Sequence, residues 1–330
     1  MSIIKKKVLF LIEGYTGFKK IDESILESIS EVKTFNYKSL VDYFNINLIS
    51  YIFWSDIIFI WFASKHALPT IVLNLIFNKP LIIVAGGFDV ASVNHIQYGA
   101  MRKGLRKLLG NWILSKASII VSVSKSNFKE ILKNTTVPRA KIKLIYNAIP
   151  NVEKYEGYKK SQILTVGEIN EETYLRKGLD RFILLAKNMP DVQFYHIGKW
   201  TNKKGKNKKT FFNYVKSIAP KNIKFLGFLK NEELIKYYIH SKVYVQLSRH
   251  EAFGVSVVEA LSYNCIPIVS NVFSLPEVIM GYGYVVNNIS EAIDKTRYSL
   301  NIQNFKIIQE DLKIFSIDSR KKSFRKLLSI

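Results

Sequence analysis

The chain has 330 residues with 49 Lys+Arg against 26 Asp+Glu, a formal charge of +23. Hydrophobic residues at 48% and aromatics at 13% exclude a disordered basic tail, because that much apolar surface needs a core to bury it. The single cysteine, Cys265, excludes an intrachain disulfide and a cysteine-cluster zinc site, and suits a reducing, cytoplasmic setting.

Lys5–Lys7 followed by VLFLI at 8–12 has the outline of a leader peptide. The apolar run stops at Glu13-Gly14 without a small-residue cleavage site, so a buried first strand is predicted instead. Glu23–Ile29 reads as helix. Asp56–Phe62 and Pro80–Ala85 are near-continuous apolar runs, as in strands buried on both faces, with a short helix at Leu68–Phe77 between them. The zone 44–87 is broken by Asp56, Lys65, Lys79 and Pro80, so it lacks the run of about 18 uncharged residues that a membrane span needs. Met101–Ser115 has a helical pattern and Ala117–Ser122 returns to strand. A polar stretch then predicts a linker near 150–160, after which the alternation resumes. Strands are predicted at 163–167, 194–198, 223–227, 243–247 and 266–270, and helices at 178–188, 231–240 and 255–263. The lysine-rich stretch 200–210 reads as a mobile surface loop. This pattern predicts an α/β chain of two Rossmann-like domains, 1–152 and 153–313. The last segment, about 314–330, reads as a basic helix that could cap either domain, with packing back on the first preferred.

The charge is spread over both halves, +11 in 1–150 and +12 in 151–330. Solvated surface lysines account for much of it. The clusters Arg102, Lys103, Arg106, Lys107 and Lys203, Lys204, Lys206, Lys208, Lys209 point further, to anionic membrane headgroups or phosphate-bearing ligands. No nucleic-acid motif accompanies them.

Ligands of parallel sheets bind beyond the carboxyl ends of the strands, so the residues there are the first candidates. Glu13-Gly14-Tyr15-Thr16-Gly17 is a glycine loop without GxGxxG spacing, which counts against a dinucleotide dehydrogenase. Gly14 and Gly17 could still approach a ligand, although an ordinary turn explains them as well. In AGGFD at 85–89, Gly87 permits close backbone approach and Asp89 could accept from sugar hydroxyls; the plainer reading is a turn with Asp89 capping the next helix. Arg176 and Lys177 precede a predicted helix, against its dipole, an arrangement that a bound phosphate would explain. The densest constellation is RHEAFGVSVVEAL at 249–261. With Glu251 in the loop and Glu259 in the second turn, both carboxylates could accept from hydroxyls of one elongated ligand. Helix-start amides with Arg176 and Lys177 would cradle a diphosphate between them. Against a merely solvated Glu259 stand its apolar neighbours Val257, Val258, Ala260 and Leu261.

The E-AFGVSVV-E segment resembles the Glu-x7-Glu signature of retaining GT-B glycosyltransferases of family four, and ordered motifs extend the resemblance over roughly 160–280. The first half resembles the family in architecture and in GGFD. The resemblance implies two domains facing each other across a cleft. It implies a nucleotide-sugar donor held by the second and a glycan or lipid-linked acceptor held by the first, with retention of configuration and no cofactor or metal. On this basis Glu259 binds the ribose and Glu251 the transferred sugar. Lys177 neutralises the diphosphate, the amides of Phe253, Gly254 and Val255 touch donor sugar or phosphate, and Phe228 and Leu229 meet the base. No Asp-x-Asp occurs in the chain, in keeping with the metal expectation. One departure is Glu168, where the family commonly has Arg; a carboxylate there should point away from a diphosphate, with Arg176 as the substitute cation. His66 and His95 are acceptor-side candidates, each more readily structural or superficial, and no HxxxH metal spacing exists. The departing diphosphate can itself take the acceptor proton, leaving Lys177 and Arg176 to stabilise it. A nucleotide-sugar epimerase of the same architecture is the second reading. A DNA-directed glycosyltransferase or binding protein rests on charge alone.

Overall fold

Six strands of the first half form one parallel sheet: β1 (Lys7–Glu13), β2 (Glu31–Tyr37), β3 (Ile57–Trp61), β4 (Leu81–Ala85), β5 (Ile119–Ser122) and β6 (Ile142–Leu144), in the order β2-β1-β3-β4-β5-β6. The computed structural model describes residues 5–39, 41–150, 158–201 and 208–329. The chain divides into two units, Met1–Asn151 with Lys313–Ile330, and Val152–Leu312. The linker expected near 150–160 lies mostly outside the described residues.

In the first unit the strands are joined by α1 (Gly17–Ile29), α2 (Asn47–Trp54), α3 (Leu68–Phe77), α4 (Leu105–Ser115) and α5 (Lys125–Asn134). Every residue of β3 and β4 is buried, because helices cover both faces of the sheet. Leu9, Leu11, Ile58, Ile60 and Ile83 share a core with Leu48 and Ile52 of α2, Ile71 of α3, Ile113 of α4 and Ile131 of α5.

The second unit repeats the design with β7 (Lys160–Val166), β8 (Gln193–Ile197), β9 (Ile223–Gly227), β10 (Ser241–Gln246), β11 (Ile266–Ser270) and β12 (Tyr284–Val286), ordered β12-β11-β10-β7-β8-β9 and parallel throughout. Its helices are α6 (Thr173–Arg176), α7 (Leu179–Lys187), α8 (Lys208–Ile218), α9 (Asn231–His240), α10 (Val255–Ser262), α11 (Leu275–Val278) and α12 (Ile289–Asn301). The chain then returns to the first unit as α13 (Ile317–Leu328). A buried ion pair fixes that return. Arg320 Nε and Nη2 donate to Asp22 of α1 at 2.5 and 2.7 Å, and Nη1 donates to the carbonyls of Ile145 and Tyr146. Trp61 Nε1 donates to the same carboxylate at 2.9 Å, so both buried charges are paired and hydrogen-bonded.

The strands that hydrophobic patterning misses, β2, β6 and β12, are all at sheet edges, where polar residues are tolerated on half-covered faces. The loop expected over 200–210 needs correction at both ends. Trp200 is buried against Phe212 and Phe225, and helix resumes at Lys208; residues 202–207 lie outside the described residues. No helix among the described residues is long and apolar enough to cross a membrane.

Candidate functional site

In the second sheet the strand order reverses at β7, with β8 on one side and β10 on the other. Loops leaving such neighbours diverge, opening a crevice at the strand carboxyl ends. Two groups from these loops meet there. Lys177 follows α6, Glu251 precedes α10, and Lys177 Nζ donates to Glu251 Oε1 at 2.6 Å with side chains 21% and 8% exposed. A polar chain supports the pair from below. Ser248 Oγ donates to Glu251 Oε1 at 3.0 Å and Gln246 Nε2 donates to Ser248 at 2.6 Å; Tyr244 Oη lies 2.9 Å from both Gln246 Oε1 and Ser256 Oγ. Ser274 Oγ donates to the Glu251 carbonyl at 2.8 Å, fixing the loop backbone.

Burial works against the charge on Glu251, but Lys177 and Arg176 beside it outweigh that cost and hold its carboxyl below the usual range. Burial, helped by Arg176, lowers Lys177, while Glu251 and the more distant Glu168 oppose the shift. The result is a buried ion pair facing the crevice. The ammonium has three N–H directions, one of which is used by Glu251.

The loop carrying Arg176 and Lys177 is clamped. Arg249 grips Asp180 of α7 with two hydrogen bonds of 2.8 and 2.7 Å, donates to the Leu175 carbonyl at 2.6 Å, and its amide donates to Arg176 O at 2.7 Å. Gly178 makes the close approach possible: its φ is +71°, and a Cβ there would stand 2.0 Å from the Leu247 carbonyl oxygen. The two cations stand just ahead of α7 as expected: Lys177 immediately precedes its N-cap Gly178, and Arg176 comes one residue earlier. Arg176 ends α6 and Lys177 is its C-cap, where the helix dipole favours cations. The conflict with the α7 dipole therefore stands, opposed only by the single turn of α6, and a phosphate reading keeps that support beside the half-buried ammonium at the switch point.

Gly254, at φ +89°, turns the chain into α10, whose N-terminus has no side-chain cap and no acid in its first turn. Phe253 is buried and Val255 half-buried beside it. Glu259 stands in the second turn, half-buried, and accepts from Tyr238 Oη at 3.0 Å. Burial pushes its carboxyl up to about 7, with Tyr238 pulling the other way. Phe228 is exposed and Leu229 half-buried just beyond β9. Glu168 is tied to Thr201, whose hydroxyl donates to it at 2.6 Å, yet its charge still reaches Lys177. His196 of β8 is buried in a recess shared with Gly167, Lys177 and Gln246, and burial lowers it to about 4, keeping the ring neutral.

The remaining candidates belong to the first unit, around its own switch point between β1 and β3. Gly14 lies in the exposed loop after β1 and Gly17, also exposed, is the first residue of α1; Gly14 N donates to Asn36 at 2.9 Å, and Lys19 Nζ donates to the carbonyls of Glu13 and Gly14. His66 is corrected: it is fully buried, with Nε2 2.9 Å from the Trp61 carbonyl and Nδ1 2.7 Å from Ser64 Oγ, so it cannot itself touch an acceptor. The half-exposed Glu13, 3.5 Å from Nδ1, occupies the surface in its place. The His66 hydrogen bond holds Glu13 below its ordinary value against the effect of burial. Asp89 is corrected as well. Its buried oxygens accept from the amides of Ala63 and Gly87, both at 2.9 Å, so it fixes the loop rather than binding hydroxyls. Gly87 has φ +131°, which serves that turn, and His95 is exposed in the short helical turn Asn94–Ile96.

Sequence reasoning missed Gln246 and Ser248 as parts of the site, and gave Arg249 and Gly178, which lie inside or beside its motifs, no role of their own. A glutamine in the otherwise apolar strand VYVQL was the available signal.

Two Rossmann-like units, each with a parallel six-stranded sheet, define the GT-B class of α/β proteins. Residues 151–306 match the family model described as glycosyl transferases group 1. Among curated relatives, an uncharacterized 41.2 kDa protein in the cps region of Klebsiella pneumoniae is 33% identical over 155 residues, covering 43% of this chain and 40% of that protein. The alpha-galactosylglucosyldiacylglycerol synthase of Streptococcus pneumoniae is 26% identical over 171 residues, covering 48% and 45%. The chain thus spans less than half the length of these relatives. Among solved structures, Anabaena Alr3699/HepE in complex with UDP and glucose superposes with a TM-score of 0.73 at 13% identity, over 98% of this chain and 99% of that one. Sucrose-phosphate synthase from Thermosynechococcus elongatus gives 0.69 at 12% identity, over 98% of both. At these identities the structural likeness is one of fold.

Proposed function

We propose that the protein is a glycosyltransferase that takes a sugar from a nucleotide-diphosphate donor and transfers it, with retention and without a divalent metal, to a glycan or lipid-linked acceptor. The observation that carries this reading is the buried Lys177–Glu251 pair at the β7/β10 switch point, inside the segment that matches glycosyl transferases group 1. The names of the relatives support the classes of substrate. They include an O-antigen chain mannosyltransferase of Escherichia coli and a glycolipid synthase, and the HepE structures hold UDP with glucose or UDP-glucose.

In this reading Glu259 accepts from the ribose hydroxyls and Glu251 from the sugar. The bond from the anomeric carbon to the diphosphate oxygen breaks, and a bond to the acceptor oxygen forms on the same face. The acceptor proton passes to the departing diphosphate. Negative charge grows on that diphosphate, and Lys177 with Arg176 stabilises it where water is largely excluded. The clamp of Arg249 on Asp180 keeps these cations in place before the donor arrives.

Thermal-shift screening with UDP-, GDP- and ADP-sugars finds the donor, since a ligand of the native state raises apparent stability. Product analysis with and without acceptor, and with EDTA, then tests the chemistry. The anomer of the product reports retention. An epimerised sugar formed without acceptor would replace transfer by epimerisation. Full transfer by both Glu259→Ala and Lys177→Ala would refute the site.

A further inference from the structure

The helix layer over one face of the first sheet is apolar on its outer side, where solvent-facing helices carry charge. α2 (NLISYIFW) and α3 (LPTIVLNLIF) contain no Asp, Glu, Lys or Arg. Their inner sides are already occupied by the core contacts of Leu48, Ile52 and Ile71. On the outer side, Ile49 and Phe53 line α2, preceded by Ile46 at its N-cap, and Val72, Leu75 and Ile76 line α3, all exposed and all at helical spacing. Phe53 is 73% exposed, Ile76 79%, and Phe44 just before α2 90%. The rings of Phe53 and Phe77 lie 6.4 Å apart, which joins the two helices into one surface. Helices apolar all round are covered on both sides, and a continuous patch of this kind marks an interaction surface rather than scattered exposure.

The charge around the patch identifies the partner. α4 belongs to the same layer, since right-handed crossovers between parallel strands place α2, α3 and α4 on one face and all three share one core. Its start interleaves the exposed Leu105 and Leu108 with Arg106 and Lys107, directly after Arg102 and Lys103, and no acid lies in its first turn. At the far end of α2, Lys7 and Lys33 lie 5.9 and 4.5 Å from the ring of Trp54. Apolar side chains set among lysines and arginines, with a tryptophan at the rim, suit the boundary between acyl chains and anionic headgroups. A second copy of the chain suits this face less well, because it would bring two halves of net +11 together.

We propose that the outer face of α2 and α3, with the basic start of α4, docks the protein on an anionic bilayer without crossing it. The proposal is independent of the donor site, and its test uses no activity. The full-length protein is sedimented with phosphatidylcholine vesicles with and without phosphatidylglycerol, and its solution mass is measured without lipid. Wild type should pellet with the anionic vesicles. Phe44→Ser/Phe53→Ser/Ile76→Ser and Arg106→Ala/Lys107→Ala should each lose roughly tenfold or more in partitioning. Their melting curves should stay unchanged, because the altered side chains face solvent. Equal binding to both vesicle types, or wild-type partitioning by the triple variant, would overturn the proposal. So would a wild-type dimer that the triple variant dissociates, with no vesicle binding, since a second copy would then cover the face.

Discussion

Replacing Glu259 with Gln removes a titration from the second turn of α10. Burial moves this carboxyl from 4.5 up to about 7, and the Tyr238 hydroxyl recovers only part of the shift. The folded chain therefore holds the proton more tightly than the unfolded chain. The stability this contributes is fully present below pH 4.5 and is lost as pH rises through about 7. A separation of about 2.5 pH units corresponds to about 3 kcal/mol, most of it lost between pH 5 and pH 8. The neutral amide has no such dependence. In urea unfolding of the ligand-free protein, followed at the transition of the second unit, wild type should fall relative to Glu259→Gln between pH 5 and pH 8. The donor should bind in the opposite sense. Ribose hydroxyls need an ionised acceptor, so wild-type affinity should rise through pH 7 while the variant's stays low and flat. A pH-independent difference in urea midpoint would refute the burial argument, whatever the donor does.

Lys177→Ala leaves the buried Glu251 without its hydrogen-bonded counter-charge and with Arg176 still beside it; a loss of about 3 kcal/mol is expected, with much of it recovered in Lys177→Ala/Glu251→Ala, as a double-mutant cycle in thermal unfolding would measure. Gly178→Ala puts a Cβ 2.0 Å from the Leu247 carbonyl at φ +71°, and should cost about 2 kcal/mol or more in the same assay. Arg249→Lys keeps the charge but loses the two-point grip on Asp180, so donor KM should rise several-fold while the melting temperature changes little, read from steady-state kinetics. Asp89→Ala should destabilise the first unit by about 1–3 kcal/mol by leaving the Ala63 and Gly87 amides unpaired. On the proposed function, the protein that remains folded should keep its acceptor KM; a selective rise would restore Asp89 to the binding surface.

The sequence by itself determined the central strands, because a run such as IIFIW at 57–61 is stable only where both faces are covered. It also placed Glu251 in a loop and Glu259 in the second turn, since Gly254 before an apolar helical repeat marks where α10 begins. Local spacing is enough for such conclusions, as they depend on neighbours within a turn or two. Tertiary structure decided what depends on strangers in the chain. Lys177 meets Glu251 across 74 residues, and Arg249 clamps Asp180 across 69. His66 and Asp89 looked available because each follows an apolar strand, and only packing shows both sealed by backbone groups of their own sheet edge. Arg176 and Lys177 stand before α7 as the pattern predicts, but only the structure shows that they also close a four-residue helix too short to announce itself in sequence. The charge of +23 divides similarly. Composition shows its size, but the fold alone sets Lys7 and Lys33 against Trp54 at the end of α2 and holds the half-buried Lys177 against Glu251 at a switch point.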